Sequence, residues 1–255
     1  MKDTMVGAQL YTLHEYMQTP ADIARMLAEV SKIGYRGVQV SGIGPIDRQE
    51  LRRILDGEGL VACATHTDYD RLVKEIDLVV KEHKILGCTY IACPGLAREM
   101  HNAEGYRLAA RELSRAGERL FGEGITLGYH NHALELVKYG DKTGLEILLS
   151  ECDPRYLQAE IDTYWITYGG GDPAAWCARY RGRLEAVHLK DMAFTPENKP
   201  VFAEVGEGNL NWDAILSACR KAGTRWYLVE QDQCRRHPLE SLKISLNNLK
   251  KRGLK

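Results

Sequence analysis

No apolar run in this chain approaches the roughly 18 to 20 residues that would span a bilayer, and its first residues lack the tripartite pattern of a signal peptide. A cytoplasmic location without a membrane partner is therefore expected. No Cys-x-x-Cys pair occurs among the seven cysteines, and an odd set without that spacing fits neither a disulfide framework nor a zinc knuckle. Cys63, Cys88, Cys93, Cys152, Cys177, Cys219 and Cys234 are expected to be reduced. Cys63 and Cys93 lie in apolar strand-like runs, where a small buried hydrophobe is a simpler reading than a nucleophile. Charge of neither sign is in excess: 34 Lys and Arg face 35 Asp and Glu, which supplies no general attraction for nucleic acid or acidic lipid. No Pro/Gly-rich or low-complexity block marks a linker between two domains.

What is present is enough apolar content, 44 %, to exclude disorder and build an ordinary core. Short runs rich in Val, Ile, Leu and Tyr alternate with longer stretches of helical period, the pattern of repeated β-α units around a parallel sheet. The strand candidates are Met5 to Tyr11, Gly37 to Ser41, Leu60 to Thr65, Thr89 to Cys93, Ile125 to Tyr129, Leu157 to Ile161, Leu184 to Leu189 and Trp226 to Glu230. Behind the first, Thr19-Pro20 reads as an N-cap with Pro at the first helical position, and Ile23, Met26, Leu27, Val30 and Ile33 form the stripe that packs on the sheet. Gly34, Gly59, Gly87, Gly124 and Gly223 fall between helical stretches and strands, where a left-handed residue reverses the chain. Pro238 to Leu249 supplies a closing amphipathic helix. Eight units in 255 residues predict an α/β fold, a single-domain (β/α)8 barrel over residues 1–255.

Such a barrel brings the C-terminal ends of all its strands to one face. Glu135, in Tyr129-His130-Asn131-His132-Ala133-Leu134-Glu135, Asp162, His188 and Glu230 stand at or just beyond four of these ends. An acid at a strand end is, taken singly, more simply a helix N-cap or a salt-bridge partner. Three carboxylates and one imidazole at the same mouth point instead to one divalent ion, Mn²⁺ or Mg²⁺ before Co²⁺ or Zn²⁺, because oxygen-rich ligation suits harder ions. His130 and His132 are two apart on an extended segment and share a face, so they are candidates for binding hydroxyls or moving protons. His66, Lys190, Trp165 and Gln9 are further candidates for substrate contact. Three of them have a structural alternative: a satisfied loop histidine for His66, ordinary aromatic packing for Trp165 and a partnered polar group inside the barrel for Gln9.

These motifs resemble the xylose-isomerase-like TIM barrels, the sugar phosphate isomerases and epimerases. The resemblance covers essentially the whole chain and rests on Tyr129-His130-Asn131-His132 with Glu135, Asp162-Thr163-Tyr164-Trp165, Val187-His188-Leu189-Lys190-Asp191, Val205-Gly206-Glu207-Gly208 with Trp212, and Val229-Glu230-Gln231-Asp232. It implies a metal held by Glu135, Asp162, His188 and Glu230, with Glu135 and Glu230 as the two catalytic bases; the spacing from Tyr129 also lets His130 or His132 take part of the role of Glu135. The implied reaction is isomerisation or epimerisation of a small sugar or keto-sugar. A metal chelated by a carbonyl and its neighbouring hydroxyl acidifies the carbon between them and stabilises an enediolate. A homo-oligomer is compatible with the resemblance.

Three other functions share this pattern. A 3-keto-glycoside lyase or hydratase begins with the same proton abstraction and then expels a group from the β carbon. An endonuclease-IV-like phosphodiesterase needs more histidines and a basic surface than eight His and a net charge of -1 provide. A non-catalytic sugar-binding barrel would keep the ligands without turnover. For phosphate, Gly206-Glu207-Gly208 would put Glu207 against a dianion, and Arg235-Arg236 reads as solvated surface, so an unphosphorylated substrate is expected.

Overall fold

The computed structural model describes residues 4–254. Eight parallel strands close into a barrel: Met5–Gln9, Gly37–Val40, Val61–His66, Tyr90–Cys93, Thr126–His130, Leu157–Asp162, Ala186–Leu189 and Trp226–Val229. Each strand pairs with its neighbour in chain order, and the eighth closes on the first with Met5 opposite Trp226. The α/β reading and the TIM-barrel topology therefore stand.

The local signals act as their chemistry dictates. The Thr19 side chain accepts the Asp22 amide at the start of the helix Pro20–Ile33, which ends on Gly34 with φ of 112°, a conformation that a Cβ disfavours. Ile23, Leu27 and Val30 of that helix are fully buried, each worth roughly 1.5–3 kcal/mol of apolar burial. The first strand is shorter than Met5 to Tyr11: Leu10–Tyr16 winds into a 3-10 helix, because the Gln9 side chain accepts the Tyr11 amide at 2.8 Å and turns the chain out of the ladder. Two short antiparallel hairpins, Lys138–Tyr139 with Lys142–Thr143 and Asp191–Phe194 with Pro200–Ala203, extend the loops after the fifth and seventh strands.

Alternation along the strands divides the interior in two. Outward residues such as Ala159, Ile161, Val187 and Val229 join the core beneath the helices. Inward residues Ala64, Tyr90, Ala92, Ala186, Trp226 and Leu228 fill the barrel with a second apolar cluster. One step further toward the C-terminal ends, the inward positions turn polar: Gln9, Gln39, Glu160, Asp162, His188 and Glu230 are all buried. This polar layer lies on an apolar plug, which is what holds so many polar side chains in fixed positions. Gly128 is required within it, since a Cβ there would run into the Tyr90 hydroxyl. The cysteines are free, and all but Cys234 are buried. No helix among the described residues is long and apolar enough to cross a membrane.

Candidate active site

The mouth of the barrel holds a cavity of about 380 Å³ whose lining includes His66, His130, His132, Lys190, Glu230 and Asp232. Its floor is the polar layer. His130, Asp162, His188 and Glu230 each offer one ligand atom, and these atoms lie within 4.8 Å of one another; His66, His130, Glu160 and His188 form a second such set.

His188 is the hub. Its Nδ1 lies 2.8 Å from Glu230 Oε2 and its Nε2 lies 2.6 Å from Gln39 Oε1, so both ring nitrogens face acceptors and both carry protons. Glu160 Oε2 stands 3.2 Å from the same Nε2. Burial opposes a charged imidazole, yet Glu160 and Glu230 outweigh it and raise His188 to about 10. The same contacts hold Glu160 and Glu230 well below the usual carboxylate range against the opposing effect of burial, with Lys190 contributing at Glu230. Lys190 places its Nζ 3.0 Å from Asp162 Oδ2, 2.8 Å from Glu230 Oε2 and 2.8 Å from Asp232 Oδ1. Asp162 nevertheless rises to about 6, because its complete burial exceeds the help from Lys190 and His188.

Asp162 does two jobs with its two oxygens. Oδ1 accepts the Trp165 amide at 3.0 Å and caps the helix Thr163–Tyr168; Oδ2 is buried and faces the cluster, with Lys190 Nζ as its ion-pair partner. The N-cap reading and the ligand reading of this residue are thus both compatible with its geometry. His130 Nδ1 is buried 3.5 Å from Glu160 Oε2, yet burial and the charged His188 beside it drive this ring well below the ordinary histidine range. His132 is held at about 4, again by burial, with Lys190 nearby. Both are neutral near pH 7, the form in which an imidazole binds a metal or accepts a proton.

The chemistry of the donor set tests whether a divalent ion fits. His130, Asp162, His188 and Glu230 bring two imidazoles and two carboxylates within 4.8 Å of one another, and the buried carboxylates, here neutralised by Lys190, are the groups a cation requires. His188 would bind it by giving up a ring proton. Glu160 is less available, since Gln39 Nε2 and His66 Nε2 each approach its oxygens at 3.0 Å. The set containing Asp162 and Glu230 is the better fit.

Glu135 is not brought to this cluster. Its strand ends at His130, the chain turns through Asn131 to Ala133, and Glu135 lies in a 3-10 turn with one oxygen accepting the Tyr129 hydroxyl at 2.9 Å and the other the His132 amide at 2.8 Å. Burial raises its pKa, as suits a carboxyl that braces the turn presenting His132. His130 occupies the corresponding place at the strand end. Gln9 is fully buried and holds the Tyr11 amide, with His66 Nδ1 at 3.5 Å from its Nε2; it orders the wall. Trp165 stands behind His132, ring centroids 5.4 Å apart, and packs against Tyr164. His66 and Lys190 do line the cavity.

Sequence reasoning passed over Glu160 and Gln39. A signal for Glu160 existed: it precedes Asp162 by two on the same strand and must share its inward face. Gln39, an amide flanked by Val38 and Val40, carried the same hint in weaker form.

Asp191 explains the remaining motif. Its oxygens accept the backbone N–H groups of Met192, Gly206, Gly208 and Leu210 and the Trp212 indole. The Gly206-Glu207-Gly208 loop is tied down by this carboxylate.

A parallel barrel with a buried imidazole–carboxylate centre at the C-terminal ends of its strands is an enzyme architecture. The chain belongs to the xylose isomerase-like TIM barrel family, whose model matches residues 27–252. The rhizopine catabolism protein MocC of Rhizobium meliloti is 25 % identical, with 89 % of this chain and 80 % of that protein covered. An inosose dehydratase of Clostridium beijerinckii is 28 % identical, with 81 % of each covered. A solved sugar phosphate isomerase/epimerase from Parabacteroides distasonis shares the fold, with a TM-score of 0.78 at 24 % identity over 97 % of this chain and 93 % of that one.

Proposed function

We propose that this protein is a divalent-metal-dependent enzyme that removes a proton next to the carbonyl of an unphosphorylated sugar or cyclic polyol ketone. The observation that carries this reading is the set His130, Asp162, His188 and Glu230, whose ligand atoms converge within 4.8 Å of one another in the buried floor of the cavity. Two imidazoles and two carboxylates suit Mn²⁺, Co²⁺ or Zn²⁺ better than Mg²⁺. When bound, such an ion polarises the carbonyl and stabilises the enediolate. Glu230, in the cavity wall, is the base: the C–H electron pair becomes the enediolate double bond as the proton passes to the carboxylate. Lys190, 2.8 Å from Glu230 Oε2, counters the negative charge that develops beside it.

Epimerisation requires a second base on the opposite face, and Glu135, braced by Tyr129 and the His132 amide, is held away from the cluster. That favours a second reading alongside isomerisation, in which the enediolate collapses by breaking a β carbon–oxygen bond and the leaving oxygen takes up a proton. The Clostridium beijerinckii relative is named as a dehydratase of an inosose, and loss of water is an elimination.

The substrate is read as unphosphorylated because the Gly206-Glu207-Gly208 loop and Arg236 are already engaged by carboxylates. The Gly206 and Gly208 amides donate to Asp191, and Arg236 is paired with both Glu204 and Glu207.

The test is metal analysis together with deuterium uptake from D₂O into ketoses, inososes and 3-keto-sugars, comparing the parent with Glu230→Gln and His188→Ala. Exchange that depends on one bound ion and is lost in both variants supports the reading. Product mass then separates isomerisation, which conserves it, from elimination, which does not. Failure to bind a divalent ion after reconstitution would overturn the proposal.

A further inference from the structure

A second cavity, of about 330 Å³, adjoins the first, and Asp232 lines both. The 3-10 helix Leu10–Tyr16 forms a common wall: Tyr11 faces the first cavity, Thr12 and Tyr16 the second. Both cavities therefore reach the C-terminal ends of the first and eighth strands, with Asp232 on the boundary between them. Each volume falls near the lower end of the roughly 300–1,000 Å³ typical of small-molecule sites, so neither alone calls for a large substrate.

The lining of the second cavity selects the chemistry of its occupant. Glu15 and Asp232 present carboxylates. The cation there, Arg236, lies 2.8 Å from Glu204 Oε2 and 3.1 Å from Glu207 Oε2, so its charge is already matched and an incoming anion would meet excess negative potential. Gln233 contributes an exposed amide, able to donate and accept. Tyr16 is 37 % exposed, with the His237 ring 5.1 Å from it, and offers an aromatic surface to the C–H face of a sugar ring. Hydroxyl-binding amide and carboxylate groups beside a partly exposed ring describe a site for a neutral polyhydroxylated unit.

We propose that this cavity is a subsite for a second, uncharged sugar ring joined by a glycosidic bond to the ring held over the His188 cluster. The substrate class is then a keto-disaccharide, and Asp232 lies at the junction between its two units. This inference rests on the reading of the cluster as the reaction centre.

Calorimetric titration of the metal-loaded protein with trehalose, methyl α-glucoside and glucose 6-phosphate tests it without turnover, with Gln233→Trp to fill the second cavity. The expected result is tighter binding of trehalose than of either single-ring probe. Gln233→Trp should lower the trehalose-to-methyl-glucoside affinity ratio at least about tenfold, roughly 1.4 kcal/mol. An unchanged ratio, tighter binding of glucose 6-phosphate, or no trehalose binding would each overturn the subsite. Deuterium exchange on single-ring 3-keto-glucose, measured in parallel, reports on the reaction centre alone, so loss of one reading is distinguishable from loss of the other.

Discussion

Lys190 Nζ stands 2.8 Å from Glu230 Oε2 and 3.0 Å from Asp162 Oδ2, so one ammonium covers oxygens of both carboxylates in the favoured metal set. Buried and 1 % exposed, it offsets charge that the barrel interior could not otherwise hold.

Replacing Lys190 by Met should therefore leave Asp162 and Glu230 without this counter-ion. Breaking a buried pair in this way costs about 3–5 kcal/mol, which lowers the melting temperature by roughly 10 °C in a domain of this size. Added Mn²⁺ should restore part of the loss, because a divalent ion neutralises the same carboxylates. Thermal denaturation with EDTA and with Mn²⁺ checks this; a variant as stable as the parent in EDTA would show that the ammonium contributes little.

Glu160→Gln addresses a positioning residue. It removes the charge 3.2 Å from His188 Nε2 and leaves Asp162 and Glu230 in place. Deuterium exchange is expected to fall on the order of 10²-fold while one ion per chain is retained, and the ring ¹⁵N shifts of His188 should move. Loss of the ion instead would place it on the alternative set, His66, His130, Glu160 and His188.

The Asp191 clamp predicts a stability effect without a metal effect. Asp191→Ala strips the acceptor from four amides and the Trp212 indole. A loss of at least about 3 kcal/mol is expected, read as a lower urea midpoint, with bound metal unchanged in the folded protein. A midpoint within error of the parent would mean that the loop is held by other contacts.

His83 supplies a pH dependence remote from the cluster. Its Nδ1 meets the Val79 carbonyl and its Nε2 the Thr65 hydroxyl, both at 2.7 Å, and burial lowers its pKa. The unfolded chain takes up this proton near pH 6.5, the folded chain only at lower pH. The contribution is therefore complete above about pH 6.5 and lost as pH falls through the folded value, where the native state must charge a buried ring. Between about pH 7 and pH 5 the parent should lose more stability than His83→Gln, by on the order of 1 kcal/mol. Parallel pH–stability curves for the two proteins would contradict this.

The alternation of short apolar runs with helical stripes, the cap at Thr19 and the reversals at Gly34 and Gly87 are local events, decided by neighbours a few residues away. By itself the sequence therefore determined the parallel barrel, and with it that Asp162, His188 and Glu230 would share one mouth. Only the tertiary structure decided which donors meet. Glu135 lies beyond a turn, where the Tyr129 hydroxyl and the His132 amide capture both its oxygens, and His130 stands at the strand end. Glu160 and Gln39 sit on strands far apart in the barrel order, and their 3.0 Å contact exists only because the sheet closes on itself. Strand periodicity says which side chains point inward; barrel closure says which of them touch.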